Sequence, residues 1–206
     1  MLTLVIDCAT EACSVALFDG ENRIAGEFRV LGRGHAEQLV PMIAALPGRG
    51  QAPRIAVAMG PGSFTGVRVG LSAARALAFA WNAELVGYPT LALIAAMARS
   101  AGGTNPLAVA TTGGHGEWFV QSFDGQGQPA SQVVSRSPQD AARAISEAMI
   151  AGNQAQALVD LRGHGEALDL LPDANCFSML PQEALTGVVR PIYGRAPDAR
   201  LPTGSA

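Results

Sequence analysis

Lysine is absent: all 14 basic side chains among the 206 residues are arginine. That absence excludes a Walker-type phosphate loop, a Schiff-base enzyme and any lysine nucleophile. Aromatics are few (two tryptophans, two tyrosines, seven phenylalanines), and only 15% of residues are charged. Disorder requires low hydrophobicity and high charge, whereas this chain is 49% hydrophobic with a net charge of −3. It folds around a core. Its three cysteines, Cys8, Cys13 and Cys176, are odd in number and sparse, as in a reducing compartment, and Cys8 and Cys13 lack the second pair that a zinc site needs. The longest apolar runs, such as Leu91 to Met97, fall far short of the roughly 20 residues that span a bilayer. Met1 to Leu4 carries no basic segment and no cleavage site, so no signal peptide is expected. These features predict a cytoplasmic, soluble protein with no membrane contact.

What is present reads as alternating strands and helices. Leu2 to Asp7, Ser14 to Phe18 and Arg23 to Val30 are expected strands, the last two joined by an Asp19-Gly20 hairpin turn. A helix over Ala36 to Leu46 places Leu39, Met42, Ile43 and Leu46 on one face, and Pro41 either kinks it or starts it. Arg54 to Met59 is a strand, Gly60 to Gly66 a glycine-rich loop, and Val67 to Trp81 a long helix. Leu85 to Tyr88 is a strand and Leu91 to Arg99 a helix. After the turn at Gly102 to Pro106 the order begins again. Strands are expected at Leu107 to Thr111, Glu117 to Phe123 and Ser131 to Arg136, then a helix from Pro138 to Ile150 capped by Ser137, then a strand at Ala157 to Asp160. A second Asp-Gly hairpin, Asp124-Gly125, superposes on the first with a shift of 105 residues. That shift pairs Asp7 with Thr112 and Thr10 with His115. The pattern predicts an α/β fold of two duplicated lobes on mixed sheets, 1–102 and a shortened 103–206 that ends in a C-terminal tail.

Candidate chemistry is sparse. Asp7, Thr10 and Ser14 surround the first turn, where backbone N–H groups and hydroxyls suit a phosphate and a carboxylate orients hydrated Mg²⁺. The alternative is an aspartate that ends a strand beside hydroxyls that close a turn. A two-lobed ATPase cleft needs a carboxylate from each half, and the second half offers Thr111-Thr112-Gly113-Gly114 with none before Glu117. The loop Gly60-Pro61-Gly62-Ser63-Phe64-Thr65-Gly66 opens a helix, which attracts anions, or its glycines simply permit close packing. Gly66, Gly70, Ala74 and Ala78 recur every four residues beside Val67 and Leu71. That stripe meets either another chain's helix or the chain's own sheet. His35, His115 and His164 are isolated, without an HExxH pattern or an i,i+4 pair, and are expected as surface or capping residues. No nucleophilic triad is specified. Arg190, Arg195 and Arg200, around a proline-rich tail, are too few for strong independent tRNA binding.

The segment from Ile6-Asp7-Cys8-Ala9-Thr10 to Leu17, with GPGSFTG and Val67-Arg68-Val69-Gly70, resembles the TsaB (YeaZ) family of bacterial tRNA threonylcarbamoyladenosine biosynthesis proteins. The likeness covers the first hundred residues, and the tail from Pro191-Ile192-Tyr193 to Pro197-Asp198-Ala199-Arg200 is similar to the family's ending. Where family members tend to carry an Asp-Ala-Arg-like stretch, this chain has Thr112-Gly113-Gly114-His115. The resemblance implies an actin-like (ASKHA, ribonuclease H-like) fold and a noncatalytic subunit. Its implied partners are TsaD, which transfers threonylcarbamoyl to the adenosine next to the anticodon, and the small ATPase TsaE. Without TsaD a homodimer is expected, and tRNA is met only through the complex. No metal or cofactor is required by the chain, and ATP or ADP is expected, if anywhere, at the joint interface with TsaD. In register with TsaD's metal-binding histidines stand Thr90 and Ile94, neither of which replaces an imidazole. The implied docking surface comprises Leu39, Met42, Ile43, Leu46, Gly66, Val67, Gly70, Leu71, Ala74 and Ala78. The alternative is a small actin-like ATPase or a sugar or acyl kinase using Asp7. A zinc metallopeptidase, an old label in this superfamily, lacks its ligand pairs.

Overall fold

The structure, a computed structural model, describes residues 1–103 and 105–194. Arg195, Arg200 and the part of the family-like ending after Gly194 lie outside the described residues. The first half comprises β1 (Leu2–Asp7), β2 (Ala12–Asp19), β3 (Asn22–Val30), α1 (His35–Ala45), β4 (Arg54–Ala58), α2 (Phe64–Trp81), β5 (Glu84–Tyr88) and α3 (Thr90–Gly102). The second comprises β6 (Leu107–Thr112), β7 (Trp118–Phe123), β8 (Val134–Arg136), α4 (Pro138–Ala144), β9 (Met149–Ala151), α5 (Ala155–Arg162) and β10 (Glu166–Leu168). The sheet orders are β3-β2-β1-β4-β5 and β8-β7-β6-β9-β10. In both, the first three strands pair antiparallel, and the fourth and fifth add in parallel. The repeat is therefore one topology used twice. β6 begins and ends 105 residues after β1, as the two Asp-Gly turns predict.

Residue type explains the layout. β1 and β4, inside the first sheet, are buried almost throughout, as strands covered on both faces must be. β3 is an edge strand and mostly exposed. α1 starts at His35 and runs through Pro41 rather than beginning there. α2 starts at Phe64, three residues before the expected start, because the Ser63 hydroxyl accepts the Gly66 N–H at 3.2 Å and caps the helix. It ends at Asn82 in the left-handed region (φ 51°), a conformation asparagine tolerates.

The second half departs from expectation in two places. The helix expected to reach Ile150 stops at Ala144, and Met149–Ala151 is instead β9. Ile150 and Ala151 are buried inside the sheet, so tertiary pairing overrides the helical preference of an alanine-rich run. Ala157 to Asp160, expected as a strand, lies in α5, whose buried Ala155 and Leu158 are three apart. The reversal after β7 turns at left-handed Gly127, with Asp124 Oδ1 accepting the N–H groups of Gln126 and Gln128 at 2.9 Å each, and not as a tight Asp124-Gly125 hairpin. Nor does the chain stay with the second sheet to its end. The 3₁₀ turn Ala174–Met179 returns to the first half, where Ala174 N–H donates to Ser14 Oγ and the Phe177 ring leans on Phe18 and Tyr88. Among the described residues no helix is long and apolar enough to cross a membrane.

Candidate functional site

The two halves enclose a cleft of about 770 Å³. Its first-half wall is Ala9, Thr10 and Glu11 from the β1–β2 turn, with Gly62, Ser63, Phe64, Val67 and Arg68 at the start of α2. The second-half wall is Thr112 to His115, Phe119, Ser135 and Asn153, and Pro191 to Gly194 run along the rim. One amide joins the halves: Asn153 Nδ2 donates to Glu11 Oε1 at 2.8 Å and to Thr112 Oγ1 at 3.1 Å.

Of the three expected phosphate-loop residues, only Thr10 lines this cleft, and its hydroxyl accepts the Ala12 N–H at 3.2 Å. Asp7 is 1% exposed and points into the first half. Its carboxyl accepts the Ala9 N–H at 2.9 Å and the Tyr88 hydroxyl at 3.3 Å. Burial pushes its pKa up from 3.8 to about 7, against the opposing pull of those two hydrogen bonds. The same burial, with Asp7 beside it, raises the Tyr88 phenol well above its ordinary value. Ser14 is fully buried and holds the Ala174 N–H at 2.9 Å. The expectation that Asp7 and Ser14 present themselves to a phosphate is corrected: both are internal struts, because the β1–β2 turn folds over them.

The glycines of GPGSFTG have a packing role. A Cβ at Gly62 would overlap the Ala9 carbonyl oxygen, and one at Gly66 the Cys8 carbonyl oxygen. Ser63 N–H donates to Ala9 O at 2.7 Å, so the loop is clamped on the turn it faces. His35 completes the clamp, its Nε2 standing 2.9 Å from Thr10 O and 3.2 Å from Ala12 O. It is thus a buried structural residue. His115 is exposed in a left-handed conformation, and His164 lies against Arg162. Cys8 and Cys13 are free thiols 3.5 Å apart beneath the turn. Their contact pushes the Cys8 thiol up, with burial adding to it, and lowers that of Cys13.

The expected docking stripe is also corrected. Gly66, Val67, Gly70, Leu71, Ala74 and Ala78 are buried on the sheet side of α2, and a Cβ at Gly70 would stand 3.5–3.8 Å from Cys8, Ile6 and Val57. Leu39, Met42, Ile43 and Leu46 are buried in the same core. A four-residue spacing lets a neighbour approach closely, and here the neighbour is the chain's own sheet. The outward flank of α2 instead bears Phe64, Arg68, Arg75 and Phe79. Phe64 and Arg68 are an i,i+4 pair legible in the sequence, whereas the pairing of Glu11 with Asn153 spans 142 positions and leaves no local signal.

An adenine nucleotide with Mg²⁺ is what an actin-like cleft implies, and the residues present do not fit it as a site of this chain alone. Asp7 is buried, the Glu11 carboxylate on the cleft wall is held by Asn153, Thr112-Gly113-Gly114 supplies none, and the glycine loop's close approach is taken by the β1–β2 turn. Thr90 and Ile94 are fully buried in α3. Among the described residues no three His, Cys, Asp or Glu side chains gather as metal ligands.

With this geometry in place, similarity to known proteins decides the family. Residues 29–179 match the family model TsaD, tRNA N6-adenosine threonylcarbamoyltransferase. The chain belongs to the TsaD family. Within that family it is similar to proteins named tRNA threonylcarbamoyladenosine biosynthesis protein TsaB. It is 39% identical to that of Escherichia coli K12 over 114 residues, which are 52% of this chain and 49% of the relative. It is 32% identical to that of Bacillus subtilis 168 over 104 residues, 48% and 45% of the two chains. The chain spans about half the length of the curated relatives it matches. Among solved structures, YeaZ from Pseudomonas aeruginosa superposes with a TM-score of 0.77 at 27% identity, over 93% of this chain and 99% of that one. The ethanolamine utilization protein EutJ from Carboxydothermus hydrogenoformans shares the fold alone, with a TM-score of 0.52 at 11% identity over 88% and 90%. The fold is thus the actin-like one that the TsaB resemblance implies.

Proposed function

We propose that this chain is a noncatalytic subunit in the synthesis of N6-threonylcarbamoyladenosine in tRNA, and that it pairs with a TsaD-type relative that performs the transfer. The observation that carries this reading is the burial of Asp7: the carboxylate at the end of β1 is turned inward onto Tyr88 and away from the cleft. The carboxylate of the second-half turn, Glu117, accepts the Ser135 hydroxyl at 2.6 Å, and in this reading the chain has a family fold without a family reaction centre. The names of its TsaB relatives support the same pathway. The chain needs no cofactor of its own, and any ATP or ADP sits at the joint interface. TsaE joins the assembly, and a homodimer forms when the partner is absent.

The pairing surface in this reading is the outer side of α1 and α2, not the stripe beneath. Val40 is 59% and Phe79 92% exposed, an arrangement that water disfavours and a partner would cover. The testing experiment is reconstitution in the cytoplasmic setting of tRNA: TsaD-type protein, tRNA and threonylcarbamoyl-AMP, with and without this chain. Modified adenosine is expected to rise with the chain, and the chain alone is expected to give neither product nor ATP hydrolysis. Phe79→Glu is expected to abolish both the rise and co-purification. Turnover by the chain alone, lost in Asp7→Ala, would overturn the proposal.

A further inference from the structure

Phe64 is 64% and Tyr193 59% exposed, and one guanidinium joins them. Arg68 Cζ lies 3.2 Å over the Phe64 ring, and its Nη2 donates to the Tyr193 hydroxyl at 3.1 Å. Two turns further along α2, Arg75 Nη2 donates to Val189 O at 2.8 Å, which brings the exposed Arg190 beside it. Neither α2 nor the segment 186–194 contains an aspartate or glutamate. In a chain of net charge −3 these two segments carry only positive charge, and Glu11, the acid that lines the same cleft as Phe64, Arg68 and Tyr193, is held by Asn153. This flank lies on the opposite side of α2 from its stripe and shares α2's outward face with Phe79, which follows one turn beyond Arg75.

Two chemistries are offered together. A guanidinium has five N–H donors, and those not engaged by a ring or an oxygen atom remain to pair with phosphate. Exposed ring faces on either side of a guanidinium stack flat, uncharged surfaces. A phosphorylated peptide or an anionic lipid uses the first and has no need of the second. A polyanion whose bases are unstacked uses both, and a duplex hides its base faces from such a platform.

We infer that this flank, Phe64, Arg68, Arg75, Arg190 and Tyr193, binds single-stranded RNA. The inference rests on the proposed role in tRNA modification and deepens it, since the unpaired nucleotides of a tRNA loop are then what the flank holds. Three arginines make it a modest contact, one that assists a partner rather than replacing it.

The test is a fluorescence-anisotropy titration of the full chain, without partner, against a short unstructured RNA, the same sequence as a duplex, and heparin. The single strand is expected to bind at low salt with a log–log salt slope near −2, about −0.7 for each arginine contact. Tyr193→Ala and Phe64→Ala are each expected to weaken binding about 5- to 150-fold with the slope unchanged. Arg68→Gln and Arg75→Gln are expected to flatten the slope by about 0.7 each. Tyr193→Phe, which keeps the ring, is expected to retain most of the affinity, and thermal melts establish that each variant folds. No binding at low salt overturns the inference; so does equal binding of duplex or heparin, or indifference to Tyr193→Ala. If the chain stimulates its partner yet binds no RNA, this inference falls and the proposed function stands. If it binds RNA as described but the partner's reaction never depends on it, the proposed function falls instead.

Discussion

Asn153 and Glu11 meet across the cleft at 2.8 Å, a hydrogen bond between the β9–α5 turn of one half and the β1–β2 turn of the other. The same amide receives the Thr112 N–H on its Oδ1 at 2.9 Å and donates from Nδ2 to Thr112 Oγ1 at 3.1 Å. Asn153 therefore organises the second-half turn and couples it to the first. Asn153→Ala removes all three bonds, one to a carboxylate, and is expected to cost about 1–3 kcal/mol. Thermal melting measures the loss, and hydrogen exchange locates it: the Thr112 amide should lose protection first. Unchanged exchange at Thr112 would show that the turn holds itself.

The first half was readable because each element is bounded by local signals and buries a periodic face. Asp19-Gly20 turns the hairpin, and Leu39, Met42 and Ile43 mark one side of α1. The second half was harder for a physical reason. β9 and β10 have three residues each, too few to show a period, and they are strands only because β6 is beside them. α5 did carry readable signs, Ala155 and Leu158 three apart and left-handed Gly163 after Arg162. The candidate site was half legible. Thr10 reached the cleft, but Asp7 and Ser14 did not, because no local pattern says which way a residue at a strand end will face. The small-residue stripe likewise reports close approach without naming the neighbour.

Asp7 gives the chain a pH signature. Unfolded, the carboxyl titrates at its ordinary value of 3.8; folded, at about 7. Between those values the native state binds the extra proton, so Asp7's contribution to stability falls as pH rises and levels off above about 7. The span is a few kcal/mol at most, taking about 1.4 kcal/mol per pH unit. Asp7→Asn removes this titration. Its melting temperature relative to the parent chain is expected to climb from pH 5 to pH 8; a flat difference would place the carboxyl's folded pKa near its unfolded one.

Three glycines of one region should respond in opposite directions. A Cβ at Gly66 or Gly62 overlaps a carbonyl oxygen of the β1–β2 turn, so Gly66→Ala and Gly62→Ala are each expected to destabilise by about 1–3 kcal/mol. At Gly70 the nearest atom is 3.5 Å away, an ordinary contact, and alanine is the better helix former by about 1 kcal/mol. Gly70→Ala is therefore expected to melt at the parent temperature or above. Denaturant unfolding of the three variants decides it, and a Gly70→Ala protein as weak as Gly66→Ala would mean that α2 sits closer to the sheet than described.

The returning segment 173–192 is part of the first half's core rather than an appendage of the second. Four ties support this: Ala174 N–H on Ser14 Oγ, Phe177 tilted against Phe18 and Tyr88 with ring centroids 5.9 and 5.7 Å away, Thr186 paired with Gly87, and Ile192 N–H on Met59 O. Ser14 and Ala174 are both fully buried, so Ser14→Ala strands a donor where no water replaces its acceptor, at a cost of about 1–3 kcal/mol. Phe177→Ala should cost at least as much, since it removes two ring contacts and leaves a gap beneath them. The two substitutions act on one packed unit and are expected to be non-additive in a double-mutant cycle. Hydrogen exchange supplies the decisive reading. If the segment is a core element, protection at Thr186 and Ile192, far along the chain from either substitution, drops together with that at Ala174. Loosening confined to Ala174 would mean that the segment is held piecemeal, and that the first sheet is stable without it.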